Sequence, residues 1–492
     1  MTPRRAVDYL EKMVQIRLDL PPLRDRQIET WLNVAIDHLA AQIGLDTVAQ
    51  PLRRFSQAYY SLIRRRLDTP RSIGRFVSQV EAFLPKDARD LDFEDYLILT
   101  WIRTAEPLLY AMLRAERASL IGGREASTGA ILRAMDSKAS KEPWVRRLSE
   151  AHIAVEHHAD VADVLSALFP KFNQEWNESN RTYGNRDAPS PRVGNPDYFD
   201  RYFHFGVPGD DLSDAVVFAA YAHISDGTTS PELDLVLSEF PVKAGLIIPK
   251  LEIANEAKPS GSLALVSWLA DQDLVVPNST DSLNDHRRLR GLGARIFLSL
   301  SPSDISVALE TVGTRDGGLP VLSDWLYAAA DAQNQYRLSD EQKAAFAQAN
   351  LRFVAQVRAL FESQRTTSPI EIDAGIWNLI WDWYRIDLDG ARIWIAARFS
   401  SGEWMPLDVV ARFVTSSRTH GVPNAPWLLS GLDFETLDNL VGLEFLYGAL
   451  DQEIQSAIVP PWRDHSVEIT SESRRQYALQ LLRQRKAGGD QQ

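Results

Sequence analysis

Cysteine is absent from the 492 residues. That absence excludes disulfides, thiolate zinc sites, cysteine-held iron–sulfur clusters and thiol nucleophiles. Long apolar runs are missing too. No stretch approaches the roughly 18 consecutive apolar residues of a membrane-crossing helix, so no membrane segment is expected. The opening Met1-Thr2-Pro3-Arg4-Arg5 lacks the apolar core of a secretory signal, and a cytoplasmic location is the expectation. Nor does the phosphate-cradling pattern G-x-x-x-x-G-K-[ST] occur anywhere. Gly291-Leu292-Gly293 lacks a third glycine, lies in a helix-like segment and follows no strand, which argues against a dinucleotide site.

What remains is an ordinary globular composition: 45% hydrophobic, 24% charged, with 26 Gly and 26 Pro. Low-complexity, collagen-like and largely disordered chains are thereby excluded. The length suits two to four domains at roughly 100–200 residues each. Residues 1–150 hold 24 Lys+Arg against 20 Asp+Glu, while the rest hold 29 against 46. An acidic majority opposes phosphate contact, so no nucleic-acid partner is expected. The mildly basic front suits a nucleotide or an acidic partner, and equally an ordinary solvated surface.

Helical spacing dominates. Ile28, Trp31, Leu32, Ala35, Ile36 and Leu39 form one apolar stripe. A second helix starts at Thr69-Pro70, an N-cap followed by proline where its missing N–H costs nothing. Its expected buried face is Ile73, Phe76, Val77, Val80, Phe83 and Leu84. A third begins at Asp92-Phe93-Glu94-Asp95, with acids at the positive end of the helix dipole, and runs until Pro107. Only Met13 to Leu18 alternates like a strand, and a lone strand needs neighbours. Glu175 to Pro196, poor in aliphatic residues, reads as a loop or boundary. Beyond it come helix-like segments at 211–224, 231–240, 262–270, 285–299, 303–312, 320–333, 339–364, 370–386, 390–398, 406–416, 433–449 and 473–486. Their lengths and short connectors suit a helical array or solenoid, although no residue-level repeat is visible.

Few residues suggest chemistry. His152, His157 and His158, with Glu156 and Asp160, invite a metal reading. Spacings of five and six residues splay the rings by more than about 100°, so a solvated helix face is the simpler account. The acids Asp87, Asp90, Asp92, Glu94 and Asp95 suit helix capping better than cation binding. Trp377, Trp381, Trp383 and Tyr384 have core spacing, or that of a helix-groove interface. Arg71 and Arg75 are an i, i+4 pair at a helix start, opposite the apolar stripe. Like charges there cost a few tenths of a kcal/mol each, which a bound anion would offset. A partner carboxylate or plain solvation explains the pair as well.

Four blocks carry a family resemblance. Asp8-Tyr9-Leu10-Glu11-Lys12-Met13-Val14-Gln15-Ile16 with Leu20-Pro21-Pro22 resembles the YLEKIVQ…LPP segment of KAP-family P-loop NTPases. Thr69-Pro70-Arg71-Ser72-Ile73-Gly74-Arg75-Phe76 is similar to the family's lid motif TPRDVKRF. Asp92 to Tyr110, with LILTWIRTAEPLLY, resembles the following helix, and 196–203, ending at Val207-Pro208, the PEYFDRYF block. The resemblance implies that Met13 to Leu18 ends an ATP-binding α/β domain, that a helical lid follows, and that Arg71, with Arg75 second, faces a γ-phosphate. Ser72 and Gly74 depart from the motif's acid and Lys. Walker A and B motifs, which the family places earlier, are expected to be missing, so no ATP hydrolysis by this chain alone is expected. ATP and Mg²⁺ are expected to bind only if an N-terminal NTPase domain completes the site, and the expected partners are proteins, an ATP-binding domain in trans among them.

The expected fold is mainly α. Residues 1–20 are the end of an α/β domain, 21–175 a lid-like bundle, 176–210 a linker, 211–485 a helical array and 486–492 a disordered tail. The expected function is the non-catalytic lid and helical sensor or scaffold of a KAP-like NTPase, acting with protein partners in signalling or bacterial phage defence. The alternative is a stand-alone helical scaffold with no nucleotide role.

Overall fold

The 3.6-residue periodicity of the sequence builds a mainly α-helical protein, with 24 α-helices and one two-stranded sheet among the described residues. The computed structural model describes residues 24–84, 90–121, 140–178, 191–204, 206–277, 284–335, 338–417, 427–457 and 469–489. The alternating segment at 13–18 lies outside them, as does Asp87. Two compact units divide the chain at Val217/Phe218.

The first unit contains α1 (Asp25–Gln42), α2 (Arg53–Ser61), α3 (Pro70–Ala82), α4 (Phe93–Ala105), α5 (Pro107–Ala115) and α6 (Arg117–Ile121). After these come α7 (Glu142–Glu150), α8 (His158–Leu168), α9 (Pro170–Trp176), α10 (Phe199–His204) and the start of α11 (Asp214–Asp226). Helix α4 is the centre. Leu97, Ile98, Trp101 and Ile102 are all buried on it, and α2, α3 and α5 pack around it. In α1, Ile28, Leu32, Ile36 and Leu39 are buried as expected, but Trp31 is 46% exposed. On α3, Ile73, Phe76 and Val80 are buried and Val77 is half-buried; just past its end Phe83 is exposed and Leu84 half-buried.

In the second unit, α12 (Pro231–Ala257), α14 (Asp285–Ser299), α16 (Gly318–Gln335) and α18 (Ala374–Ile386) pack each on the next. So do α13 (Ser262–Gln272), α15 (Pro302–Gly313) and α17 (Asp340–Ser363). Consecutive helices also touch at every step but α14 to α15, so the two rows form a two-layer stack, the packing of an α-solenoid. Helix α19 (Leu388–Ser400) lies on α18, and α20 (Pro406–Arg412) follows.

Three expectations on this unit are corrected. The segment expected to end at 240 runs to Ala257, with Pro241 and Pro249 inside and a kink two residues after Pro241, at Lys243, whose φ/ψ of −112°/18° is non-helical. The 406–416 segment stops at Arg412. Beyond it, β1 (Val414–Ser417) pairs antiparallel with β2 (Leu428–Leu432), with a bulge between Thr415 and Ser416. The 433–449 segment is two helices, α21 (Phe434–Leu440) and α22 (Leu443–Ala449), broken at Gly442, whose φ of 92° favours glycine. After α23 (Asp451–Ser456), α24 (Ser471–Gly489) covers the sheet and continues into the expected disordered tail.

Candidate functional site

Helix α3 presents the arginine pair. The Ser72 N–H donates to Thr69 Oγ1 at 3.1 Å, and the Thr69 N–H donates to Ser72 Oγ at 3.1 Å, a reciprocal cap of two otherwise unbonded donors. Pro70 occupies the first turn. With Ile73, Phe76 and Val80 inward, Arg71 and Arg75 face out, both exposed, with no ion pair or hydrogen bond among the described residues. The inner face is firm. Phe76 stacks on Phe55 of α2 at 6.4 Å between centroids, and the Tyr96 hydroxyl of α4 donates to Val80 O at 2.7 Å. Burial pushes the Tyr96 hydroxyl up to about 12, so it stays a donor at physiological pH.

Behind this helix the acids of residues 90–95 do more than cap. Asp92 does cap α4, accepting the Asp95 N–H at 2.9 Å. It also accepts Arg54 at 2.6 Å, while Glu94 accepts the Phe55 N–H at 2.9 Å. Asp95 is fully buried. Its Oδ2 accepts the Val193 N–H at 3.0 Å, and Arg192 reaches both oxygens at 3.3 Å. Arg192 also donates to Ala167 O of α8. Burial, reinforced by neighbouring Asp92, pushes the Asp95 carboxyl up to about 7 despite the two arginines. The Tyr202 hydroxyl, itself pushed well up by burial, donates to Pro191 O at 2.7 Å and accepts the Asp92 N–H at 2.8 Å.

A second ionic cluster adjoins the first through Asp90. Arg201, 0% exposed, donates to Asp90 Oδ1 and to Asp90 O at 3.1 Å, to Asp211 Oδ2 at 2.7 Å and to Leu212 O at 2.8 Å. Asp214 lies 3.0 Å from the guanidinium and accepts the Tyr198 hydroxyl at 2.5 Å. One cation serves three carboxylates, and the strongest remaining lone pairs go to backbone N–H groups, as at Asp90 from Asp214 N at 2.8 Å. Residue spacing hinted at Arg201. It falls three residues after Tyr198 in a block whose Tyr198, Phe199, Tyr202 and Phe203 are all buried, a charge on an apolar face. Arg192 gave no signal, since its partner is 97 residues away.

The histidines do not form a site. His152 sits in a left-handed turn after α7, with φ of 62°. His157 accepts Arg65 at 2.8 Å, and His158, expected on a solvated face, is buried with a ring nitrogen 3.0 Å from Ile153 O. No group of three or more His, Asp or Glu side chains among the described residues could hold a metal ion. Trp377 and Trp383 are buried with Phe361, Trp394 and Trp404 in an aromatic core, Trp381 lies against Phe413, and the Tyr384 hydroxyl accepts Asn439 at 3.1 Å. Gly291 and Gly293 lie mid-helix in α14. A Cβ on Gly293 would come within 2.6 Å of Trp325, so this glycine admits a neighbouring indole, not a phosphate.

Residues 2–86 match the family model described as the KAP family P-loop domain. The match takes in α1, α2, α3 and both arginines, as well as two of the four resembling blocks; residues 97–110 and 196–203 lie beyond it. No curated protein and no solved structure matches the chain. No helix among the described residues is long and apolar enough to cross a membrane.

Proposed function

We propose that this chain supplies the helical lid and a helical recognition array of a KAP-like P-loop NTPase, acting with a separate or missing ATP-binding α/β domain. The observation that carries the reading is the arginine pair. Arg71 and Arg75 project from the capped, rigidly backed start of α3, unpaired among the described residues, inside the stretch that matches the family model. A guanidinium so held fits the anionic end of a nucleotide, where its planar fork stabilises charge developing on a transferred phosphoryl group. Among the described residues no group of three or more His, Asp or Glu side chains is placed to hold Mg²⁺, which takes oxygen ligands from carboxylates and phosphates. In this reading the metal ligands and the phosphate cradle belong to the partner domain.

The roles in signalling or phage defence follow from the family resemblance, and the acidic stack of the second unit is the part suited to a protein trigger. In a mixture with a KAP-family α/β domain carrying Walker A and B motifs, Arg71→Ala is expected to lower ATP turnover by about 10²-fold with an unchanged melting temperature. Unchanged turnover overturns the role of Arg71. The second reading, a scaffold that binds protein and never touches nucleotide, draws on the two-layer stack alone. Partner capture indifferent to ATP in pull-downs would favour it.

A further inference from the structure

Carboxylates are plentiful in the second unit, and its half-buried arginines find them. Arg288 meets Asp285, Arg290 meets Asp273, Arg315 meets Asp271, Arg398 meets Glu362 and Arg475 meets Asp408. Among the described residues of this unit Arg412 and Arg474 are the exceptions: both are half-buried and neither has a carboxylate in ion-pair reach.

The two stand at one junction. Asp408 and Arg412 are four residues apart on α20 and share a face. Asp408 accepts Arg475 Nε of α24 at 2.7 Å and the Ser368 hydroxyl at 2.5 Å. Arg474, next to Arg475, thereby comes to the Arg412 end of α20, and its Nη1 donates at 2.8 Å to the carbonyl of Val414, two residues beyond Arg412. Backbone carbonyls anchor Arg412 as well, through Nη2 to Ile372 O and, at 3.3 Å, to Asp373 O, with its guanidinium 5.3 Å from the centre of the Trp377 ring. The Asp373 carboxylate is engaged in capping α18, accepting the Gly375 and Ile376 N–H groups at 2.7 and 3.3 Å. Arg412 Nε is buried with no hydrogen bond, and Arg474 makes none beyond Val414 O. A buried donor without an acceptor is costly, and two adjacent cations repel, one of them in the first turn of a helix whose dipole also opposes it. Burial pushes both guanidiniums down, and the charge of Arg474 pushes Arg412 further.

We propose that Arg412 and Arg474 form a binding site for a phosphate group, carried by a small ester or by a phosphorylated side chain. Two cations with no carboxylate match the roughly −1.5 to −2 charge of a phosphate monoester at pH 7, which a single carboxylate does not. The open edge of Arg474, Nε with Nη2, forks onto two phosphate oxygens, and a third supplies the acceptor that Arg412 Nε lacks.

Hydrogen exchange on the full chain, with inorganic phosphate or acetate at matched ionic strength, tests this. Protection of the 406–417 and 470–477 peptides should rise about tenfold when phosphate reaches ten times its dissociation constant, and acetate should do nothing. Arg474→Gln should abolish the effect. Equal protection in Arg474→Gln, or none in the wild type, overturns the site. Should that variant fail to fold, the wild type decides, since equal protection by acetate overturns a phosphate site and protection by phosphate alone supports it. Glycerol phosphate and a phosphoserine peptide separate the sources: stronger protection by the peptide assigns a phosphorylated side chain, and equal or stronger protection by glycerol phosphate a free ester. Protection by inorganic phosphate with neither ester acting overturns the proposal.

Discussion

Arg201 and Arg71 are the same residue type in opposite circumstances, and their environments set different tests. Arg201 is buried among Asp90, Asp211 and Asp214, so removing it strands three carboxylates. Arg201→Met is expected to cost the first unit about 3–5 kcal/mol, read as a lowered urea midpoint for that unit, because an uncompensated buried charge is far dearer than the pair was valuable. A loss below about 1 kcal/mol would show the cluster to be wet. Asp95 sets a pH dependence of unusual sign. Its folded value of about 7 lies above the unfolded carboxyl's 3.9, so between them the folded state holds a proton that the unfolded state lacks. Stability from this group is full below about pH 4, falls as pH rises to about 7 and is flat above. Urea midpoints of the first unit at pH 5 and 7.5 should differ by less in Asp95→Asn than in the wild type; an unaltered difference would remove Asp95 as its source. Neither cluster was legible in sequence. The acids at 90–95 read correctly as a helix start because capping is local, but their guanidinium partners lie far off in sequence, Arg54 about 40 residues before them and Arg192 and Arg201 about 100 residues on, and no spacing rule reaches that far.

At the scale of elements, local rules served well where the chemistry is local. The Thr69 cap, the Pro70 start and the break at Pro107 all stand where the spacing puts them. They failed where a partner decides the conformation. Val414–Ser417 is too short to nucleate alone and takes its strand from Leu428–Leu432 and from Arg474 on α24, which donates to Val414 O at 2.8 Å. Two helical glycines give opposite expectations. Gly74 is exposed, and a Cβ added there would meet no atom within 4 Å, so Gly74→Ala should stabilise α3 by about 0.5–1 kcal/mol. Gly293 lies against Trp325, so Gly293→Ala should destabilise by about 1–3 kcal/mol. Thermal melts of both variants check the pair, and equal signs would refute the packing account of Gly293.

For the whole molecule, a helical array was legible from segment lengths and connectors, yet its two-layer order was not. The regularity lies in which helices touch, helix n with n+2 throughout and with n+1 at most steps, and many side-chain sets satisfy that packing. The proposed nucleotide contact extends only as far as a motif reaches: residues 68–76 offer Arg71 and Arg75, and in the proposed reading a separate or missing α/β domain brings the phosphate to them. The direct measurement is Mg²⁺-ATP turnover by a KAP-family α/β domain, alone and with this full chain as wild type or Arg71→Ala. Turnover should rise when the wild-type chain is added and stay near the level of the α/β domain alone with Arg71→Ala. Equal turnover in all three would contradict a lid that works through its arginine.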